Sequence, residues 1–81
     1  MASLNFWRAE DLIYQEIGRR VKSTRRRRGL TQTEFGIKIN LSRSSIANIE
    51  SGIQKVTIHS LYQIGYVLKV SIYDLLPENK H

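Results

Sequence analysis

No cysteine occurs anywhere in the 81 residues, which removes disulfide staples and thiolate metal sites together and points to a reducing, cytoplasmic setting. A chain of this length buries only about 60% of the surface its unfolded form exposes, so packing or oligomerisation must hold it. Proline is confined to Pro77, leaving nearly the whole chain free to be helical. No apolar run approaches the roughly 18 residues of a membrane span, and the N-terminus lacks a charged-then-apolar secretory segment. The chain is therefore expected to be soluble, untargeted and without a membrane partner. His59 and His81 are far apart, and the carboxylates, the adjacent Glu10 and Asp11 excepted, stand singly along the chain with no metal-ligand spacing. Neither catalytic residues, a metal site nor a cofactor is expected, and an enzyme is disfavoured.

What the chain has in excess is positive charge. Its formal net charge is +6, and seven basic residues (Arg19, Arg20, Lys22, Arg25, Arg26, Arg27, Arg28) fall within ten positions uninterrupted by an acid. Such a run attracts polyanions, of which nucleic acid is the usual one. By itself it also fits a solvated helix face or an anionic membrane, so the rest of the chain must decide.

Apolar residues recur at three and four, without the alternation of strands, which predicts an all-α domain. Ile13, Ile17 and Val21 form one stripe of a first helix running from about Leu12 or earlier to Arg28, ended by Gly29. Thr31-Gln-Thr-Glu34 is a capping box that opens a second helix at Gln32, with Phe35 and Ile39 inward and Gly36 leaving room for a crossing helix. Asn40 suits the left-handed turn that follows. Ser42 caps a third helix containing Ile46 and Ile49, and Gly52 stops it. Thr57 caps a fourth with Leu61, Ile64 and Leu68 inward, and Ser71-Ile-Tyr-Asp74 opens a short fifth holding Leu75 and Leu76 before Pro77.

Two short helices joined by a tight turn, apolar only where they must touch, make a helix-turn-helix arrangement. Its requirements are met in order from Gln32 to Ile49, with Leu41 expected to be buried at the turn. On the third helix the face away from Ile46 and Ile49 carries Ser44, Ala47 and Asn48, with Arg43 at its N-terminal shoulder. Short polar residues suit close approach to a major groove, where Arg reads guanine and Asn reads adenine. A solvated polar face would be equally hydrophilic, though richer in Glu and Lys.

With these residues in view, the segment from about Arg20 to Pro77 resembles the Cro/C1-type (XRE) helix-turn-helix family of phage repressors and their bacterial relatives. The resemblance is carried by Arg25, Gly29-Leu30-Thr31-Gln32-x-Glu34-Phe35-Gly36, Ser45-Ile46, Ile49-Glu50-x-Gly52 and Val70-Ser71-Ile72-Tyr73-Asp74-Leu75-Leu76. It implies a compact five-helix, lambda-repressor-like fold that binds double-stranded DNA. It also implies that Arg43, Ser44 and Asn48 occupy base-reading positions, and that Gln32, Ser42 and Lys55 meet phosphates, Gln32 also supporting the reading helix. Arg25 and Glu50 match a partly buried ion pair between helices one and three. That pair has its own physical warrant, because both residues lie within about 80° of the apolar centre of their helices, where a half-covered charge needs a partner. Arg26, with Arg27 and Arg28, is left for phosphates or solvent.

Three departures from the family pattern stand out: Asn40 in place of the usual turn glycine, Gly65 where alanine is common, and an N-terminal extension over residues 1–14. The domain is expected at 15–77 and a frayed tail at 78–81. Leu4, Phe6, Trp7, Leu12 and Tyr14 make the extension apolar, suited to lengthen helix one, cover the core, or contact a second subunit or another protein. Tyr62, Tyr66 and Tyr73 are expected at core or interface edges, and His59 at the surface. The reading that follows is a transcriptional regulator, a repressor binding a palindromic operator as a homodimer. An antitoxin that autoregulates through the same domain and a restriction-modification controller are the alternatives. RNA binding ranks low, since the tyrosines do not form a stacking platform.

Overall fold

The computed structural model describes residues 10–77, apart from the side chain of Glu10. The described residues form five helices and no strand: α1 Glu10–Arg27, α2 Gln32–Ile39, α3 Arg43–Ser51, α4 Ile58–Leu68 and α5 Ile72–Leu75. The aromatic residues Phe6 and Trp7, and the tail 78–81, lie outside the described residues. Leu12, Ile13 and Tyr14 belong to α1, where Ile13 and Tyr14 pack against the core and Leu12 stays half exposed.

The starts of α2, α3, α4 and α5 each follow from a hydroxyl. Thr31 and Glu34 exchange both capping-box bonds, the Thr31 oxygen accepting from Glu34 N–H at 3.0 Å and the Glu34 carboxylate from Thr31 N–H at 2.8 Å. Ser42 accepts from Ser45 N–H and Thr57 from Ser60 N–H, both at 3.0 Å. Asp74 closes the reciprocal bond at Ser71, accepting its N–H at 3.0 Å. Satisfying these otherwise orphaned donors stabilises each start by about 1 kcal/mol.

The core runs through every helix: Ile17 and Val21, Phe35 and Ile39, Ile46 and Ile49, Leu61, Ile64 and Leu68, and Leu75, with Val56 from the loop before α4. Leu41, expected to be buried, is partly covered and packs on its edge. α1 lies across α3 at Gly18, where a Cβ would press on the Ile49 carbonyl oxygen and stand 2.6 Å from that of Glu50. Only the absence of a side chain lets the two backbones meet there.

α2 and α4 end in the same way. Asn40 and Lys69 both adopt the left-handed conformation at φ 60°. The next residue returns its N–H to a glycine carbonyl five positions back, Leu41 to Gly36 at 2.8 Å and Val70 to Gly65 at 2.9 Å. In each turn a Cβ on that glycine would crowd the returning carbonyl, 2.5 Å from Leu41 O and 2.8 Å from Val70 O. The room expected at Gly36 for a crossing helix is thus filled first by the turn itself. The same geometry accounts for glycine in place of alanine at 65.

Candidate nucleic-acid interface

α3 is held in place by a buried polar knot. The Arg25 guanidinium donates to both Glu50 carboxylate oxygens, Nε to Oε2 at 2.6 Å and Nη2 to Oε1 at 3.0 Å. Its third nitrogen donates to Leu30 O at 2.6 Å. Gln32 Nε2 reaches the same carboxylate at 3.1 Å. One arginine therefore joins α1, the α1–α2 turn and α3, while Gln32 adds α2. Arg25 and Glu50 are both 7% exposed, and no buried side-chain polar atom is left without a hydrogen-bond partner among the described residues. Charges removed from water this far are tolerable only when paired and hydrogen-bonded on all sides.

With its inner face fixed, α3 turns its other face outward. Arg43, Ser44 and Asn48 are exposed there, Ala47 is half covered, and Ser42 caps the N-terminus. Among the described residues the side chains of Arg43, Ser44 and Asn48 make no hydrogen bond or ion pair, so their donors and acceptors face solvent. Lys55 is exposed in the following loop, which folds back on α3 through a Gln54 N–H to Asn48 O bond at 3.1 Å. Gln32 is only half exposed, because its amide is turned toward Glu50.

The arginine run does not act as a unit. Arg19 and Arg20 both bind Glu16, at 2.5 and 2.7 Å. Hydrogen bonds from these two guanidiniums, with the charges behind them, hold the Glu16 carboxyl far below its ordinary 4.5, at about 2. Arg27 donates to the hydroxyl of buried Thr24 at 3.2 Å. Arg28, left by the sequence for phosphate or solvent, instead caps α4, donating to Leu68 O at 2.7 Å and Lys69 O at 3.1 Å. Those carbonyls are orphans of the helix end, and a guanidinium fork satisfies two at once. Lys22 and Arg26 remain without a partner among the described residues, and they line an open groove on α1 with Arg19 and Ser23. Arg26 thus sits on a cationic face of α1 and not on α3.

Three features escaped sequence reasoning. Gly18 carried a weak signal, a small residue on the flank of the α1 apolar stripe. Arg28 carried none, because its partners lie forty positions away in the chain, and Lys69 carried none, because lysine has no preference for the left-handed conformation it adopts.

A polar, unengaged helix face held outward by a second helix across a tight turn defines a DNA-binding helix-turn-helix domain. The chain belongs to the helix-turn-helix family HTH_3, which it matches over residues 21–75. It is 34% identical over 64 residues to the antitoxin PezA of Streptococcus pneumoniae serotype 4, a match covering 79% of this chain and 40% of PezA. The chain therefore spans less than half the length of this curated relative. Among solved structures, the restriction-modification controller protein C.AhdI from Aeromonas hydrophila is similar at 22% identity, with a TM-score of 0.74 over 78% of this chain and 91% of C.AhdI. The clp gene regulator ClgR from Corynebacterium glutamicum is likewise similar at 22% identity, with a TM-score of 0.73 over 76% of this chain and 66% of ClgR. At such identities the structural likeness speaks for the fold. Among the described residues no helix is long and apolar enough to cross a membrane.

Proposed function

We propose that this chain is a sequence-specific, double-stranded DNA-binding transcriptional regulator of the cytoplasm, a repressor that binds a palindromic operator as a homodimer. The observation that carries the proposal is the exposed, unpartnered Arg43, Ser44 and Asn48 on a helix whose opposite face is locked by Arg25, Glu50 and Gln32. In this reading Arg43 and Asn48 make bidentate contacts to base edges and Ser44 permits close approach. Ser42, Lys55, Arg26 and the free part of the Gln32 amide meet phosphates, which provide most of the affinity. Two chains would set their reading helices about 34 Å apart. Selection of binding sites from a random duplex library, with the recovered complexes sized, tests this directly. An inverted repeat bound by two chains is expected, and the absence of any enriched sequence would overturn the proposal.

A second reading is favoured by the likeness to PezA, an antitoxin. Here the same domain represses its own promoter while another part of the protein, such as the apolar extension at residues 1–14, holds a partner. Co-expression with the product of a neighbouring reading frame, followed by purification through a tag on this chain, would yield a stoichiometric complex in that case. A similar role as a restriction-modification controller rests on fold alone.

A further inference from the structure

α4 is an unusual surface for so basic a protein. Its eleven residues include no Asp, Glu, Lys or Arg, yet Tyr62 is 60% exposed and Tyr66, one turn on, 86% exposed. Both line a groove of about 490 Å³ between α2 and α4, together with His59, Val67 and Lys38. A second hollow continues from it past Tyr66 and Val67 to Lys69. Two solvent-facing aromatic rings side by side are a typical anchor for a protein partner, and the two lysines stand at the rim.

No carboxylate lines either hollow. Glu34, one turn before Lys38, spends its hydrogen bonds on the Thr31 capping box and meets Lys38 only through a weaker charge interaction. Glu16 serves Arg19 and Arg20, Glu50 serves Arg25, and Asp74 serves the Ser71 N–H. The groove therefore sets Ile39, Tyr62, Tyr66 and Val67 among the uncharged polar groups of Asn40 and Gln63, with lysines at its edges. A second copy is a poor occupant, because two-fold symmetry would bring the lysines of a +6 chain toward their own counterparts. A duplex is also a poor occupant, since tyrosine rings and Val67 give its phosphates little to pair with.

We infer that the α2–α4 groove is a docking site for an acidic, amphipathic segment of another protein, whose apolar ridge seats on Tyr62, Tyr66 and Val67 and whose carboxylates pair with Lys38 and Lys69. This is the helix-in-groove mode of recognition, with charge setting which partners are admitted. It does not depend on the DNA reading.

The test is selection of peptides of about 16 residues, long enough for four helical turns, from a random display library against the full chain. The same selection is run on Tyr62→Ala/Tyr66→Ala and on Lys38→Glu/Lys69→Glu. Enriched sequences should be acidic with apolar residues three and four apart. Binding of a synthetic copy should weaken about tenfold or more in the tyrosine variant, and the charge-reversed variant should select basic peptides instead. All four positions are exposed, so thermal melts should confirm that both variants fold. Peptides without acidic bias, or ones that bind the charge-reversed chain equally well, would overturn the inference. So would sedimentation showing a wild-type dimer that the tyrosine variant abolishes, because the groove would then belong to a second copy.

Discussion

The Arg25 guanidinium makes three hydrogen bonds in a site where it and Glu50 are almost wholly shielded from water. Removing one partner strands the other, so Glu50→Ala or Arg25→Ala should each cost about 3–5 kcal/mol in chemical denaturation, whereas an Arg25→Met/Glu50→Leu pair should cost less than either. Equal losses for single and double changes would place the stability in the shape of these side chains and not in their charge. Lys69 offers the opposite sign. It holds a left-handed backbone at φ 60° without being glycine, so Lys69→Gly should stabilise by about 1 kcal/mol, read as a higher urea midpoint at unchanged slope. Arg28 still finds the backbone carbonyl of residue 69 in that variant. Glu16 sets a pH dependence. Its carboxyl is lowered from 4.5 to about 2, so its contribution to stability is complete above about pH 4.5 and disappears as pH falls through 2. Glu16→Gln should flatten this acid limb in melts between those values, leaving the smaller slope of Glu34, whose carboxyl is lowered by the Thr31 backbone N–H.

Among the helices, α1 and α3 are the pair on which the reading surface depends. Their contact is made at Gly18, where an added Cβ meets two backbone carbonyls and no flexible side chain. Gly18→Ala must therefore push the helices apart, with an expected loss of about 1–3 kcal/mol and a fall in DNA affinity beyond what stability alone explains, because α3 is displaced from Gln32 and Arg25. A melt unchanged from the parent would show that the crossing tolerates a methyl group. The repeated turn after α2 and α4 makes a similar demand at Gly36 and Gly65. There helix propensity favours alanine while the returning carbonyl opposes it.

Over the whole molecule, positive charge is dispersed. Among the described residues Arg19, Arg20 and Arg25 are paired with carboxylates, while Arg27 and Arg28 keep their charge but are tied to neutral oxygens of the domain, so few side chains of the run are at liberty to reach a phosphate. Duplex affinity should accordingly fall with salt at a slope of only a few phosphate contacts, not the number of basic residues in the run. Asn48→Ala should relax preference at one base pair, whereas Lys55→Ala should weaken cognate and scrambled duplexes alike, as fluorescence anisotropy titrations would read. Equal losses on both duplexes for Asn48→Ala would remove that residue from base reading.

Helix order, four of the caps, the turn at Asn40 and most of the core could be read from the sequence, because each rests on residues within about one turn of one another: Thr31 with Glu34, Ser42 with Ser45, Ile46 with Ile49. The polar face of α3 was legible for the same reason, helical periodicity being local. Contacts between distant segments were not, apart from the Arg25–Glu50 pair and the support that Gln32 gives the reading helix, which the resemblance implied. That Arg28 ends α4, that Gly18 is a crossing point and that Tyr62 and Tyr66 stand in solvent beside Lys38 follow only from how the helices are stacked. Local chemistry determined the elements and the charge they carry. Tertiary packing decided which of those charges are consumed within the fold and which are left for a partner, because a long, flexible arginine binds whatever carbonyl or carboxylate the fold brings within reach.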